Sequence, residues 1–153
     1  MIAYRAMSAL DIPVVVSLER AIFKVDPWSV AQFKEEIAAV GKTRHYLVAE
    51  SDREIVAYAG ACVIAKGEVG DIHTLAVIPE FRGQGIGRHL LTELITWIEG
   101  QGAPAVMLEM RTGNVEAEPL YRSFGFEFIH TRKSYYAPGV DAVVMRKDFT
   151  VSA

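Results

Sequence analysis

With 153 residues, 51% of them apolar and 23% charged, the chain has the make-up of one folded domain with a full core, which excludes a disordered protein and leaves no length for a second catalytic domain. Sixteen Lys and Arg against nineteen Asp and Glu leave a net charge of −3, without the excess positive charge by which a dedicated nucleic-acid binder displaces counterions. The longest uncharged apolar run, Ile55 to Ala65, falls short of the roughly 20 residues that cross a bilayer, and MIAYRAMSALD lacks the basic and apolar regions of a secretory signal, so the expected location is the cytoplasm with no membrane partner.

In chain order, a strand is expected at Ile2 to Arg5. Ser8 with Asp11 three residues later resembles a capping box, and Ile12, Val15, Val16 and Ile22 share one helical face. Ser29 is an N-cap for a second helix that carries Val30, Phe33, Ile37 and Val40. Strands follow at His45 to Glu50, Ile55 to Ala65 and Gly70 to Val77, and the short turns between them imply antiparallel pairing. From Gly87 the period changes, with Leu90, Leu91, Leu94, Ile95 and Ile98 at helical spacing until Gly100 and Gly102. A strand at Ala105 to Arg111 completes a strand, loop, helix, strand order that normally makes a right-handed crossover between parallel neighbours. A helix at about Val115 to Phe124 and strands at Phe126 to Thr131 and Ala142 to Lys147 end a mixed α/β (α+β) domain. No repeat or interdomain linker interrupts the chain. Cys62 stands alone, and His45, His73, His89 and His130 have no ligand spacing, so neither a disulfide framework nor a metal site is expected; Cys62 and His73 read as structural.

The chemistry centres on Arg82, Gly83, Gln84, Gly85, Ile86, Gly87 and Arg88, between a buried-looking strand and an amphipathic helix. Glycines there admit a ligand close to the backbone, and the first helical N–H groups with the positive dipole end suit a phosphate or pyrophosphate. Two cofactor classes compete. A dinucleotide fold has in its favour Glu109, an acidic residue at about the right distance beyond the glycines; against it stand the G-x-G-x-G spacing and the antiparallel strands before the loop. No G-x-x-x-x-G-K-[ST] sequence occurs, which removes the usual nucleoside triphosphate loop.

RGQGIG resembles the R/Q-x-x-G-x-G/A signature of the GNAT superfamily of acyl-CoA N-acyltransferases. The similarity runs through DPWSVAQF, HTLAVIPEFRGQGIGRHLL, LEMRTGNVEAEPLYRSFGF and RKSYY, a combination similar to the RimI-type ribosomal-protein alanine N-acetyltransferases. The resemblance implies a mixed, largely antiparallel sheet and acetyl-CoA as co-substrate without a metal. It also implies as acceptor a protein N-terminus, the N-terminal alanine of an S18-type small-subunit ribosomal protein. A lysine or small-amine acetyltransferase of the same fold and a non-catalytic acyl-CoA-binding module remain as alternatives. Pro119 departs from the pattern by standing inside the helix that the family starts near Asn114, so the helix is expected to begin one or two residues later than that start.

Strand alternation puts Glu109 on the face opposite Val106, Leu108 and Met110, near the carboxyl end of a central strand where α/β proteins place ligands. By itself Glu109 is either a solvated charge or a base; the resemblance makes it the general base, acting through a water. Tyr121 reads locally as a core tyrosine, and the resemblance of LYRSFGF makes it the acid that protonates the coenzyme A thiolate. The resemblance also assigns the main-chain N–H groups around Leu75, Ala76 and Val77 to the thioester and pantetheine, Asn114 to the cofactor arm, and Trp28, Tyr135 and Tyr136 to the surroundings of the acceptor. Arg82 and Arg88 flank the loop within reach of phosphates.

Overall fold

The computed structural model describes residues 1–111 and 117–149. Its elements are β1 (Ile2–Ala6), α1 (Ile12–Ile22), α2 (Val30–Ala38), β2 (Arg44–Ser51), β3 (Glu54–Cys62), β4 (Gly70–Val77), α3 (Ile86–Gly100), β5 (Ala105–Arg111), α4 (Ala117–Ser123), β6 (Glu127–Ala137) and β7 (Val140–Asp148). The expected caps form. Ser8 N–H donates to Asp11 Oδ2 at 2.8 Å ahead of α1, and Asp11 is fixed in turn by Arg5 at 2.7 Å. At α2, Gln32 N–H donates to Ser29 Oγ at 3.2 Å while Ser29 N–H donates to Gln32 Oε1 at 2.8 Å, which satisfies two of the helix's orphan donors.

The described strands make one sheet in the order β1-β2-β3-β4-β5-β7-β6, antiparallel throughout except for the parallel β4/β5 pair that α3 connects. Alternating side chains bury both faces. Leu47, Ala49, Ala57 and Ala59 join α3's Leu90, Leu91, Leu94 and Ile98 on one side. Tyr46, Val48 and Tyr58 join Val15, Val16 and Phe33 of α1 and α2 on the other.

Several boundaries differ from expectation, most by one residue and those of β3, β6 and β7 by more. β6 and β7 run on to Ala137 and begin at Val140 because they pair along a polar ribbon, Arg132 opposite Ala142 and Ala137 opposite Val140. β6 is an edge strand and mostly exposed, so no apolar alternation marks its second half. β3 stops at Cys62 rather than Ala65, where its pairing with both Arg44 and Asp71 ends. The described part of α4 runs from Ala117 to Ser123 and contains Pro119, while its expected start near Val115 lies outside the described residues.

Two irregularities in β4 create the site. Its pairing with β5 ends at Ile72 opposite Leu108, although β4 continues to Val77 and β5 to Arg111, so the strands separate toward their carboxyl ends. On the other edge Gly60 pairs with Thr74 and Ala61 with Ile72, which leaves His73 as the extra residue of a bulge.

Candidate active site

The separation of β4 from β5 opens a cleft of about 590 Å³. Leu75, Ala76 and Val77 of β4 line it, facing Arg82, Gly83, Gly85, Ile86, Gly87 and Arg88, with Leu120 of α4 closing the far side. Gly83 and Gly85 adopt φ of +78° and +84°, the left-handed region that glycine enters without a Cβ penalty, and Gly85 is the N-cap of α3. A Cβ on Gly87 would come within 3.2 Å of Leu120 and 3.8 Å of Val77, filling the cleft at the helix start. The first turn of α3 thus presents orphan N–H groups and a positive dipole end beside a space free of side chains.

Of the loop residues singled out in the sequence, Gln84 is not on the cleft wall, and Asn114 lies outside the described residues. Both arginines have partners within the protein. Arg82 Nε donates to the Val77 carbonyl at 3.0 Å, while Arg88 Nη2 donates to Ser123 Oγ at 3.0 Å with its guanidinium 5.1 Å from the Phe124 ring centroid.

A second, smaller cavity of about 80 Å³ shares Phe23 and Leu75 with the cleft and brings together Glu109, Tyr121, His73, Trp28 and Tyr136. Glu109 projects from the exposed side of β5, as the strand alternation predicts. It is not a lone carboxylate: Arg132 Nη1 of β6 donates to its Oε1 at 2.5 Å, and the Arg132 guanidinium lies 4.5 Å from the Tyr135 ring centroid. Tyr121 is buried against Phe126, ring centroids 5.7 Å apart. Burial, with a smaller contribution from Tyr136, pushes its phenol well above the ordinary 10, so it is protonated at neutral pH. Trp28 and Tyr136 line the small cavity; Tyr135 does not, standing 52% exposed against Tyr136.

Sequence reasoning missed two buried carboxylates next to this cavity. Glu19 accepts the Tyr58 hydroxyl at 2.7 Å and the Trp28 N–H at 2.9 Å. Glu36 accepts the Tyr46 hydroxyl at 2.6 Å and Arg44 Nε at 2.6 Å, and its Oε1 lies 2.5 Å from His73 Nδ1. Their signal lay in the helical period: Glu19 continues the Ile12, Val15, Val16 stripe, and Glu36 falls between Phe33 and Ile37 on the buried face of α2. A charge on an apolar stripe needs partners to be retained.

The match to a model described as the acetyltransferase (GNAT) family, over residues 13–126, decides what this arrangement belongs to. The chain is a GNAT-family acetyltransferase. Among its GNAT relatives, N-alpha-acetyltransferase RimI of Mycobacterium tuberculosis is 38% identical over 147 residues, 94% of this chain and 90% of the relative. The ribosomal protein bS18-alanine N-acetyltransferase of Salmonella typhimurium is 30% identical over 142 residues, 91% of this chain and 92% of the relative. The crystal structure of the ribosomal-protein-S18-alanine N-acetyltransferase from Escherichia coli superposes with a TM-score of 0.83 at 26% identity, covering 100% of this chain and 97% of that one. Arabidopsis thaliana NAA60 in complex with a bisubstrate analogue reaches 0.86 at 19% identity over 99% of this chain and 100% of that one, a likeness of fold. Among the described residues, no helix is long and apolar enough to cross a membrane.

Proposed function

We propose that the chain transfers the acetyl group of acetyl-CoA to the α-amine of a protein N-terminus in the cytoplasm, with the N-terminal alanine of an S18-type ribosomal protein as acceptor. The observation that carries this reading is the junction of the two cavities. A cleft with backbone donors and glycines meets, at Leu75, a small pocket bearing a carboxylate and a protonated phenol. The names of the bacterial relatives support the choice of acceptor.

In this reading the α3 N-terminus and the Gly83–Gly87 segment hold the pyrophosphate. Main-chain N–H groups of the unpaired β4 edge around Leu75, Ala76 and Val77 receive the pantetheine and the developing oxyanion. Glu109, aimed by Arg132, accepts through a water the proton that the nitrogen sheds as it attacks the thioester carbonyl. Tyr121 gives its proton to the departing sulfur. An α-amine suits this machinery: its pKa of about 7.7 to 8.0 leaves part of it neutral at pH 7, whereas a lysine near 10.4 costs roughly 3.5 kcal/mol more to deprotonate.

The test is a panel of peptides with free and with blocked N-termini, each containing a lysine, incubated with acetyl-CoA and followed by thiol release and mass. Acetylation of the free N-terminus alone is expected. Acetylation only of the blocked, lysine-bearing peptide would favour a lysine acetyltransferase and refute the reading, and the absence of thiol release with every amine offered would mark a non-catalytic acyl-CoA-binding module.

A further inference from the structure

An α-amine enters the reaction as an ammonium with three hydrogens and leaves as an amide with one, so two protons depart from nitrogen, and Glu109 accounts for one. His73 lines the same small cavity as Glu109 and Tyr121. Its ring is held from behind: Nδ1 lies 2.5 Å from Glu36 Oε1. Burial by itself would raise the Glu36 carboxyl, but the hydrogen bonds from His73, Tyr46 and Arg44 outweigh it and bring it down to about 2. Glu36 is therefore a carboxylate at neutral pH and can only accept. The hydrogen between the two residues sits on Nδ1, so the ring, in the neutral form that a base requires, carries its lone pair on Nε2.

The backbone supports the same conclusion. His73 is the extra residue of the β4 bulge, a device that re-aims a side chain, and it sits immediately after the last β4/β5 pair. The Trp28 ring meets it edge-on at 6.1 Å and limits its swing. Resting on the proposed acetyl transfer, we propose that His73 is a second catalytic base that takes the first proton of the incoming ammonium at Nε2, with Glu36 as its positioning residue.

The protons then balance. His73 removes one and becomes imidazolium, and the neutral amine forms the C–N bond. Glu109 takes the second proton through its water as the C–S bond breaks, Tyr121 protonates the sulfur, and the proton held on Glu109 restores the phenol. His73 returns its proton to solvent, the single net proton that the reaction releases. The charged groups around the ring favour this. Glu36 from α2, Glu109 from β5, Glu19 from α1 and Asp26 beyond it are acidic residues, set against two arginines, Arg44 of β2 paired to Glu36 and Arg132 of β6 paired to Glu109. Burial raises the Asp71 carboxyl two residues before His73, with Glu109 adding to the rise and His73 opposing it. The titratable residues that line the cavity from α4 and β6, Tyr121 and Tyr136, are phenols, as is Tyr46, which shares Glu36 Oε1 with the ring.

The deciding measurement is the pH profile of kcat/KM with acetyl-CoA and a free alanyl peptide, for the wild type, His73→Gln and Glu36→Gln. The wild type is expected to rise through an acid limb that depends on His73. His73→Gln should lose about 100-fold or more at neutral pH, with the limb moved up to the amine's own range of about 7.7 to 8.0 and KM for acetyl-CoA unchanged. Glu36→Gln keeps the ring but removes its anion, so its limb should shift to lower pH, a change that a purely structural role does not produce. Nitrogen-resolved imidazole spectra of the wild type should show the Nδ1–H form, which decides the point even if Glu36→Gln fails to fold. A His73→Gln enzyme within about threefold of wild type and with an unmoved acid limb, or an Nε2–H tautomer, overturns the role of His73 alone. A wild type with no turnover on any free N-terminus overturns the transfer reading and this one with it.

Discussion

Gly85 is the residue at which backbone geometry and ligand binding can be separated. At φ +84° it occupies the left-handed region, and a Cβ built on it meets no atom within 4 Å. Gly85→Ala therefore introduces no clash, and its whole cost is the left-handed penalty of about 1–2 kcal/mol. For a chain of this length that corresponds to a fall in Tm of about 2–8 °C. The chain can escape the penalty only by leaving the left-handed region, which re-aims the first N–H groups of α3. Thermal melts and acetyl-CoA titrations should then show both the lower Tm and an affinity weakened about tenfold, equal to about 1.4 kcal/mol. Gly85→Asn is the control: asparagine tolerates this region better, so it should lose less of both. Alanine and asparagine variants equally impaired, or an alanine variant as stable and as tight-binding as the wild type, would refute the claim that the left-handed turn aims the helix at its ligand.

Tyr121→Phe keeps the ring against Phe126, so Tm should stay within a few degrees and acetyl-CoA affinity should hold, while turnover by thiol release falls about 100-fold or more; parallel loss of binding would mark a packing residue instead. Arg132→Gln removes an ion pair whose side chains are 46% and 33% exposed, so stability by urea unfolding should change by less than about 1 kcal/mol, whereas kcat/KM should drop because Glu109 is no longer aimed. The Glu36 carboxyl, lowered from an ordinary 4.5 to about 2, contributes stability that is complete above 4.5 and is lost as pH falls toward 2. Glu36→Gln should accordingly be less stable at neutral pH and show a flatter stability profile across that acid range, measured by denaturant midpoints at successive pH values.

The elements legible in the sequence are those in which local pattern and tertiary role agree. Ser29 with Gln32 and the Leu90-to-Ile98 stripe mark their helices because capping and period 3.6 act within a few residues. β3 reads as an apolar run because both of its faces are covered. The second half of β6 is silent because an exposed edge strand needs no apolar alternation; only its pairing with β7 makes it a strand. The glycines of the loop and the alternation that turns Glu109 outward were equally local. What Glu109 touches was not, since Arg132 comes from another strand.

The sequence by itself determined the mixed α/β make-up, the strand-loop-helix-strand core and the family, because periodicity, turn chemistry and a contiguous glycine motif are properties of neighbouring residues. Tertiary structure alone decided where β4 leaves β5, that His73 falls on a bulge, and that Glu36, Arg44, Tyr46 and His73 meet. Those groups come from α2, β2 and β4, and their contacts exist only once the helix and sheet layers pack. A buried carboxylate acquires its charge state from that packing, through the balance of desolvation against hydrogen bonds, and no local pattern in the chain encodes that balance.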